Sequence, residues 1–131
     1  ILLTLQPRLG ITPNLIVETI RLSTRYPILW KIRPHPRFNF LEVNNNYNSF
    51  NNCIVCDPSK SDIHTSLSSC KLHITGFSSS FIDANSIGIK TFFIDKRALS
   101  YYKNYNIGSF LFQESKHLLS RILKEVNQFQ T

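Results

Sequence analysis

Short, nearly continuous apolar runs recur along this chain, and each gives way to a polar loop and then to a helical spacing. The runs are Ile1 to Leu5, Ile28 to Arg33, Cys53 to Cys56, Lys71 to Thr75 and Lys90 to Asp95, with Ile107 to Phe112 a sixth. Strands this short and this apolar belong inside a sheet covered on both faces, the usual setting of parallel strands. Parallel neighbours cannot be joined by a tight turn and need a crossover, most often a helix. The pattern predicts a Rossmann-like α/β domain: a mainly parallel sheet of about six strands with helices on both faces. With 42% apolar residues, a chain of 131 residues can build one core and hardly two, so residues 1–131 read as a single domain. The same content excludes a disordered chain. No stretch approaches the ~20 apolar residues of a membrane-spanning helix.

Between the runs, Thr12 as N-cap and Pro13 at the first helical position open a helix. Its apolar spacing (Leu15, Ile16, Ile20, Leu22) runs to Arg25, and Pro27 stops it. Residues 38–52, rich in Asn, read as an irregular loop or insertion. Ser61-Asp62 caps a small helix through Ser69, and Ser79 or Ser80 caps one that ends at Gly88. Tyr101 to Tyr105 fits neither pattern. Glu114 to Phe129 closes the chain as an amphipathic helix, with Leu118, Leu119, Ile122, Leu123 and Val126 on its apolar face.

The chain carries 15 Lys and Arg against 8 Asp and Glu, a formal charge of +7, yet no three basic residues are consecutive. Scattered charge without an organised aromatic pattern argues against a nucleic-acid partner. The densest group is Lys31, Arg33 and Arg37 around Pro34-His35-Pro36, which suits contact with a phosphate. Three cysteines make no disulfide framework and point to a reducing compartment. Cys53-x-x-Cys56 and Cys70-x-x-His73 have the ligand types of a zinc site. Each pair falls on a predicted strand, however, where residues three apart face opposite ways. Buried apolar cysteines and a strand histidine are the better reading, and no metal site is expected.

Parallel α/β sheets bind ligands beyond the carboxyl ends of their strands. The segments that follow the strands are therefore the ones to weigh: Gln6 to Gly10, Pro34 to Arg37, Asp57 to Lys60, Gly76 to Ser80 and Asp95 to Arg97. No G-x-G-x-x-G follows the first strand and no P-loop is present, so neither an ordinary NAD site nor a Walker NTPase is supported. The most informative stretch is Thr75-Gly76-Phe77-Ser78-Ser79-Ser80-Phe81-Ile82-Asp83-Ala84. A strand ends, a glycine permits a turn, and three hydroxyls precede a helix whose free N–H groups would attract phosphate. A capping box, Ser80 with Asp83, is the structural alternative. In the His-Pro loop, two prolines stiffen the chain around His35, an imidazole placed to donate to a phosphate or move a proton.

These residues, with Leu5-Gln6-Pro7 and Gly88-Ile89-Lys90-Thr91-Phe92-Phe93-Ile94-Asp95, resemble the C-terminal half of GT-B type glycosyltransferases. The likeness is to bacterial surface-polysaccharide enzymes of the sialyltransferase-like, capsule-type and CDP-glycerol glycerophosphotransferase-like kinds. The resemblance implies a domain that grips a nucleotide-activated donor (CMP-, CDP- or UDP-linked) with no further cofactor. His35 is the catalytic candidate, and Arg33, His35, Arg37, Gly76, Ser78, Ser79, Ser80 and Asp83 are the phosphate- and nucleotide-binding candidates. Where relatives carry Glu-Ala, this chain has Asp83-Ala84, one methylene shorter. The chain lacks methionine and begins Ile1-Leu2-Leu3, so it reads as a fragment or excised domain; the resemblance implies a two-domain enzyme whose N-terminal half supplies the acceptor site. A cytoplasmic location, with peripheral association at the membrane face, is a further expectation. A nucleotide-sugar 2-epimerase-like domain and a non-catalytic nucleotide- or glycan-binding module are the alternatives.

Overall fold

The computed structural model describes residues 1–6 and 13–128. Five strands form one parallel sheet: β1 (Leu2–Thr4), β2 (Trp30–Arg33), β3 (Cys53–Val55), β4 (His73–Thr75) and β5 (Thr91–Phe93). Their order is β3-β2-β1-β4-β5, with Leu2 opposite both Lys31 and His73, and His73 opposite Thr91. Helices α1 (Asn14–Ser23), α2 (Phe40–Tyr47), α3 (Ile63–Ser68), α4 (Ser80–Ser86) and α5 (Arg97–Tyr101) follow the strands in turn, and α6 (Ser115–Gln128) closes the chain. The α/β expectation is met with five strands rather than six. Where the sixth was expected, Gly108–Phe110 forms a 3₁₀ turn, and one bridge from Leu111 to Phe93 is all that pairs. Asn106, in the left-handed region at φ 52°, turns the chain just before it, and Gly108 and Ser109 offer nothing to a pleated face.

Alternation along the strands assigns the two faces. Leu3, Trp30, Ile32, Ile74 and Phe92 pack with Ile16 and Ile20 of α1, Val43 and Tyr47 of α2, and Leu118 and Ile122 of α6. On the other face, Leu2 meets Leu67 and Ala84 of α3 and α4, and Phe93 meets Phe81 of α4 and Ala98 of α5. Lone Trp30 is fully buried, and its indole N–H donates to Ser23 Oγ at 3.0 Å. That hydroxyl also accepts from Asn52 Nδ2 at 3.1 Å and donates to the Ile20 carbonyl, so one Ser joins α1, β2 and the lead-in to β3.

Several boundaries differ from expectation. The Asn-rich stretch is not a loop: α2 forms there, capped by Asn39, whose Oδ1 accepts from the Glu42 N–H at 3.2 Å. Val43 and Tyr47, four apart and both buried, anchor it against poor intrinsic propensity. β3 is not buried but an edge strand, with Ile54 exposed. Pro13 lies just before α1 rather than inside it. Thr12, its expected cap, lies outside the described residues, as do Pro7 to Gly10 and Phe129. Asp62 caps α3 by accepting from the Thr65 N–H at 2.7 Å. At the end of α4, Gly88 (φ +79°) and Ile89 donate back to Asn85 and Ala84, the glycine-terminated stop that the sequence announced.

On the α3/α4 face the sheet buries a polar chain. His73 has no exposed surface, and its ring nitrogens lie 3.0 Å from Thr4 Oγ1 on β1 and 3.0 Å from Thr91 Oγ1 on β5. Burial pushes its pKa down to about 3. Below the usual imidazole value near 6.5, the unfolded chain therefore takes up a proton that the folded one refuses. This contribution to stability is complete above about pH 6.5 and is lost as pH falls towards 3. Between pH 7 and 4.5 the wild type should lose about 2–3 kcal/mol more than His73→Gln, because carboxylate titration common to both cancels. Urea midpoints at the two pH values measure the difference; equal losses would mean that His73 does not titrate on unfolding.

Candidate functional site

The order β3-β2-β1-β4-β5 places a topological switch point between β1 and β4, where the chain leaves in opposite directions along the sheet. A cleft of about 400 Å³ opens beyond their carboxyl ends, lined by Leu5, Gln6, His35, Phe77, Ser78, Ser79, Tyr101 and Tyr102. Its wall depends on one peptide group. Gln6, just past β1, accepts the Phe77 N–H with Oε1 at 2.6 Å and lies 3.4 Å from the Thr75 hydroxyl. From the other side, the Tyr102 hydroxyl donates to the Phe77 carbonyl at 2.6 Å. Both polar groups of the Phe77 backbone are thus satisfied, and the turn after β4 is tied to β1 and to the segment after α5.

An aromatic rim surrounds that turn. The Tyr101 ring stacks on Phe77 with centroids 5.4 Å apart and planes within 9°. The Arg97 guanidinium sits 4.5 Å from the centre of the Phe77 ring. Asp95 orients it, accepting from Arg97 Nε at 2.9 Å, and these hydrogen bonds hold the Asp95 carboxyl below the usual carboxylate range.

The expected site residues divide. His35, Ser78 and Ser79 line the cleft. His35 Nδ1 accepts from the Arg37 N–H at 3.1 Å, so the neutral ring carries its proton on Nε2. Ser79 is exposed and its hydroxyl caps nothing. Arg37 is exposed beside the His-Pro turn, while Gly76 is buried in the turn after β4. Arg33 is directed elsewhere: it bonds Ser61 and Ser66 at the start of α3, with 2.9 Å to the Ser61 carbonyl. Ser80 Oγ turns inward to 3.5 Å from His73, and Asp83, half-buried, is not among the lining side chains.

Two local expectations are corrected. The capping box does not form; instead Ser78 Oγ accepts the Ser80 N–H at 3.2 Å. The N–H groups of Phe81 and Ile82 are also engaged, by the carbonyls of Ser78 and Ser79. The start of α4 therefore has few free donors, and an anion in the cleft would meet the serine side chains and His35 instead. The loop from Asp57 closes on itself, its carboxylate accepting from Ser59. All three cysteines are free thiols. Burial pushes Cys53 up to about 12 and raises Cys70, so neither is poised as a thiolate ligand. Among the described residues, no three His, Cys, Asp or Glu side chains converge on a metal position. No described helix is long and apolar enough to cross a membrane.

Sequence reasoning missed Tyr101 and Tyr102, and it weighed the segment that starts at Gln6 without naming Gln6 among the site residues. Gln6 was visible as a polar residue directly after a central strand, but the two tyrosines belonged to a stretch without readable periodicity. No protein-family model, curated protein or solved structure matches the chain. If the Phe77 peptide is the hinge of the cleft wall, Gln6→Leu should cost about 1–2 kcal/mol, the value of a hydrogen bond lost from a half-buried donor. The Phe77 amide should exchange with deuterium through local opening about tenfold faster, beyond any rise that the global destabilisation brings at the Ile32 amide in β2. Equal exchange at Phe77 in both proteins would show that another acceptor takes its N–H.

Proposed function

We propose that this chain is a nucleotide-binding domain that holds the phosphates of an activated donor in the cleft between β1 and β4. Its reading at finer grain is the donor half of a GT-B type glycosyltransferase. The observation that carries it is the convergence, at the switch point of a parallel sheet, of His35 from the β2 loop with Ser78 and Ser79 from the β4 loop. In transfer, the leaving nucleotide gains negative charge on its terminal phosphate. His35 Nε2–H and the serine hydroxyls are donors of the kind that stabilise such charge. Arg37, exposed beside the His-Pro turn, adds positive potential near the mouth.

Among the described residues no carboxylate lines the cleft to act as a strong general base for an acceptor hydroxyl. That supports a domain that binds donor without completing transfer alone, the acceptor site and base coming from a second domain. The same observation favours a nucleotide-binding module without catalysis as the second reading.

The test is a titration of the ¹⁵N-labelled chain with CMP, CDP, UDP and GDP. Amide shifts centred on Gln6, His35, Ser78, Ser79 and Tyr101, larger for one nucleotide, are expected. Because the Ser79 hydroxyl has no partner among the described residues, Ser79→Ala should leave stability within about 0.5 kcal/mol of wild type. The same variant should weaken nucleotide binding several-fold. Absence of shifts with every nucleotide at millimolar concentration would overturn the reading for this chain.

A further inference from the structure

Where the end of α1 meets α6, the two leave an open groove of about 610 Å³ between them, far from the cleft. Its apolar lining is Leu22, Leu119 and Leu123, with Leu119 buried and the other two half-buried, so the apolar surface is recessed. Its charged lining is Arg25, Lys116 and Lys124, all exposed, and no carboxylate accompanies them among the described residues. The helix period explains the arrangement. Lys116, Ser120 and Lys124 recur at every fourth position and form one row along α6, with Leu119 and Leu123 in the row beside it. The two lysines stand about 12 Å apart along the axis, with only the short Ser120 side chain between them. Elsewhere the cations near carboxylates are paired: Arg21 with Glu18, Lys90 and Arg121 with Glu125, and Arg97 with Asp95. Arg25, Lys116 and Lys124 make no ion pair among the described residues. An apolar strip is thus bordered by positive potential that nothing described in the fold neutralises.

We propose that this groove docks an acidic amphipathic helix of a partner protein. Its apolar row rests on Leu22, Leu119 and Leu123, and its carboxylates meet Arg25, Lys116 and Lys124. Carboxylates about two helical turns apart match the spacing of the two lysines. A bilayer surface fits less well, because it takes apolar groups that project into it, and these leucines are recessed. Single-stranded nucleic acid relies on aromatic platforms, and Tyr26 is the sole aromatic side chain among the described lining residues. A second copy of the chain is a poor occupant as well. None of the described helices carries more than one acidic residue, and Glu125, the one on α6, is buried against Lys90. Two copies that each carry a formal charge of +7 also repel.

The probe is a capped amphipathic peptide of about sixteen residues, long enough to hold a helix, with one leucine row bordered by glutamates. A twin carries glutamine in place of every glutamate. Each is titrated into the ¹⁵N-labelled chain and into a variant with both Lys116→Gln and Lys124→Gln, whose exposed positions leave folding intact. Shifts at Leu22, Tyr26, Leu119, Ser120 and Leu123 are expected with the acidic peptide. The variant should bind that peptide about tenfold more weakly, the scale of two exposed ion pairs, and should bind the glutamine twin as the wild type does. Equal binding of the acidic peptide by both proteins would overturn the proposal, as would shifts elsewhere or none at millimolar peptide. If phosphatidylserine vesicles or a single-stranded oligonucleotide move these amides and the peptide does not, the groove belongs to that ligand and the proposal fails. A concentration-dependent dimer that shifts the same amides without peptide would overturn it too.

Discussion

A neutral imidazole flanked by two threonine hydroxyls ties together the three strands on which the rest of this fold depends. His73 reaches Thr4 on β1 and Thr91 on β5, so the switch point and its neighbouring edge are coupled by side chains as well as by the backbone ladder. Burial of a polar ring is tolerable only because both nitrogens have partners, one donating and one accepting. Ser80, the first residue of α4, lies 3.5 Å from the same ring. The start of the helix beside the cleft is thereby referenced to the strands that the cleft straddles.

The cleft wall is built by a similar economy of parts. Gln6 and Tyr102 hold one peptide, that of Phe77, between β1 and the segment after α5. Asp95 holds Arg97, and Arg97 and Tyr101 both lie on the Phe77 ring. Every element that borders the cleft on the β4 side is connected through this residue. Among the described residues, the Ser79 hydroxyl and His35 Nε2 have no partner on the cleft side, which leaves them for the donor in the reading proposed above.

How much of this the sequence disclosed depended on what held each element in place. The strands were legible because central parallel strands must be apolar whatever surrounds them, and α6 because five apolar residues at helical spacing have one interpretation. Gly88 was legible because a helix stop that needs φ +79° admits little besides glycine. By contrast α2 was hidden: its Asn residues argue locally for a loop, and only the buried pair Val43 and Tyr47 decides otherwise. The direction of Arg33 was half legible. Alternation put it on one face with Lys31, but that face turned out to hold α3 and its serines rather than the ligand edge. The N-terminal turn of α4 was misjudged for a related reason, since whether three serines leave N–H groups free depends on rotamers that no spacing records.

The single tryptophan carries a consequence of its own. Trp30 has no exposed surface, its indole N–H is bonded to Ser23, and it lines no part of the cleft. Its fluorescence is accordingly a report on the α1/α6 side of the sheet alone, blue-shifted while that core is intact and red-shifted once water enters. Optical signals from a donor held in the cleft as proposed would come from Tyr101 and Tyr102 instead, so folding and the proposed binding would be read at different side chains without any label being added.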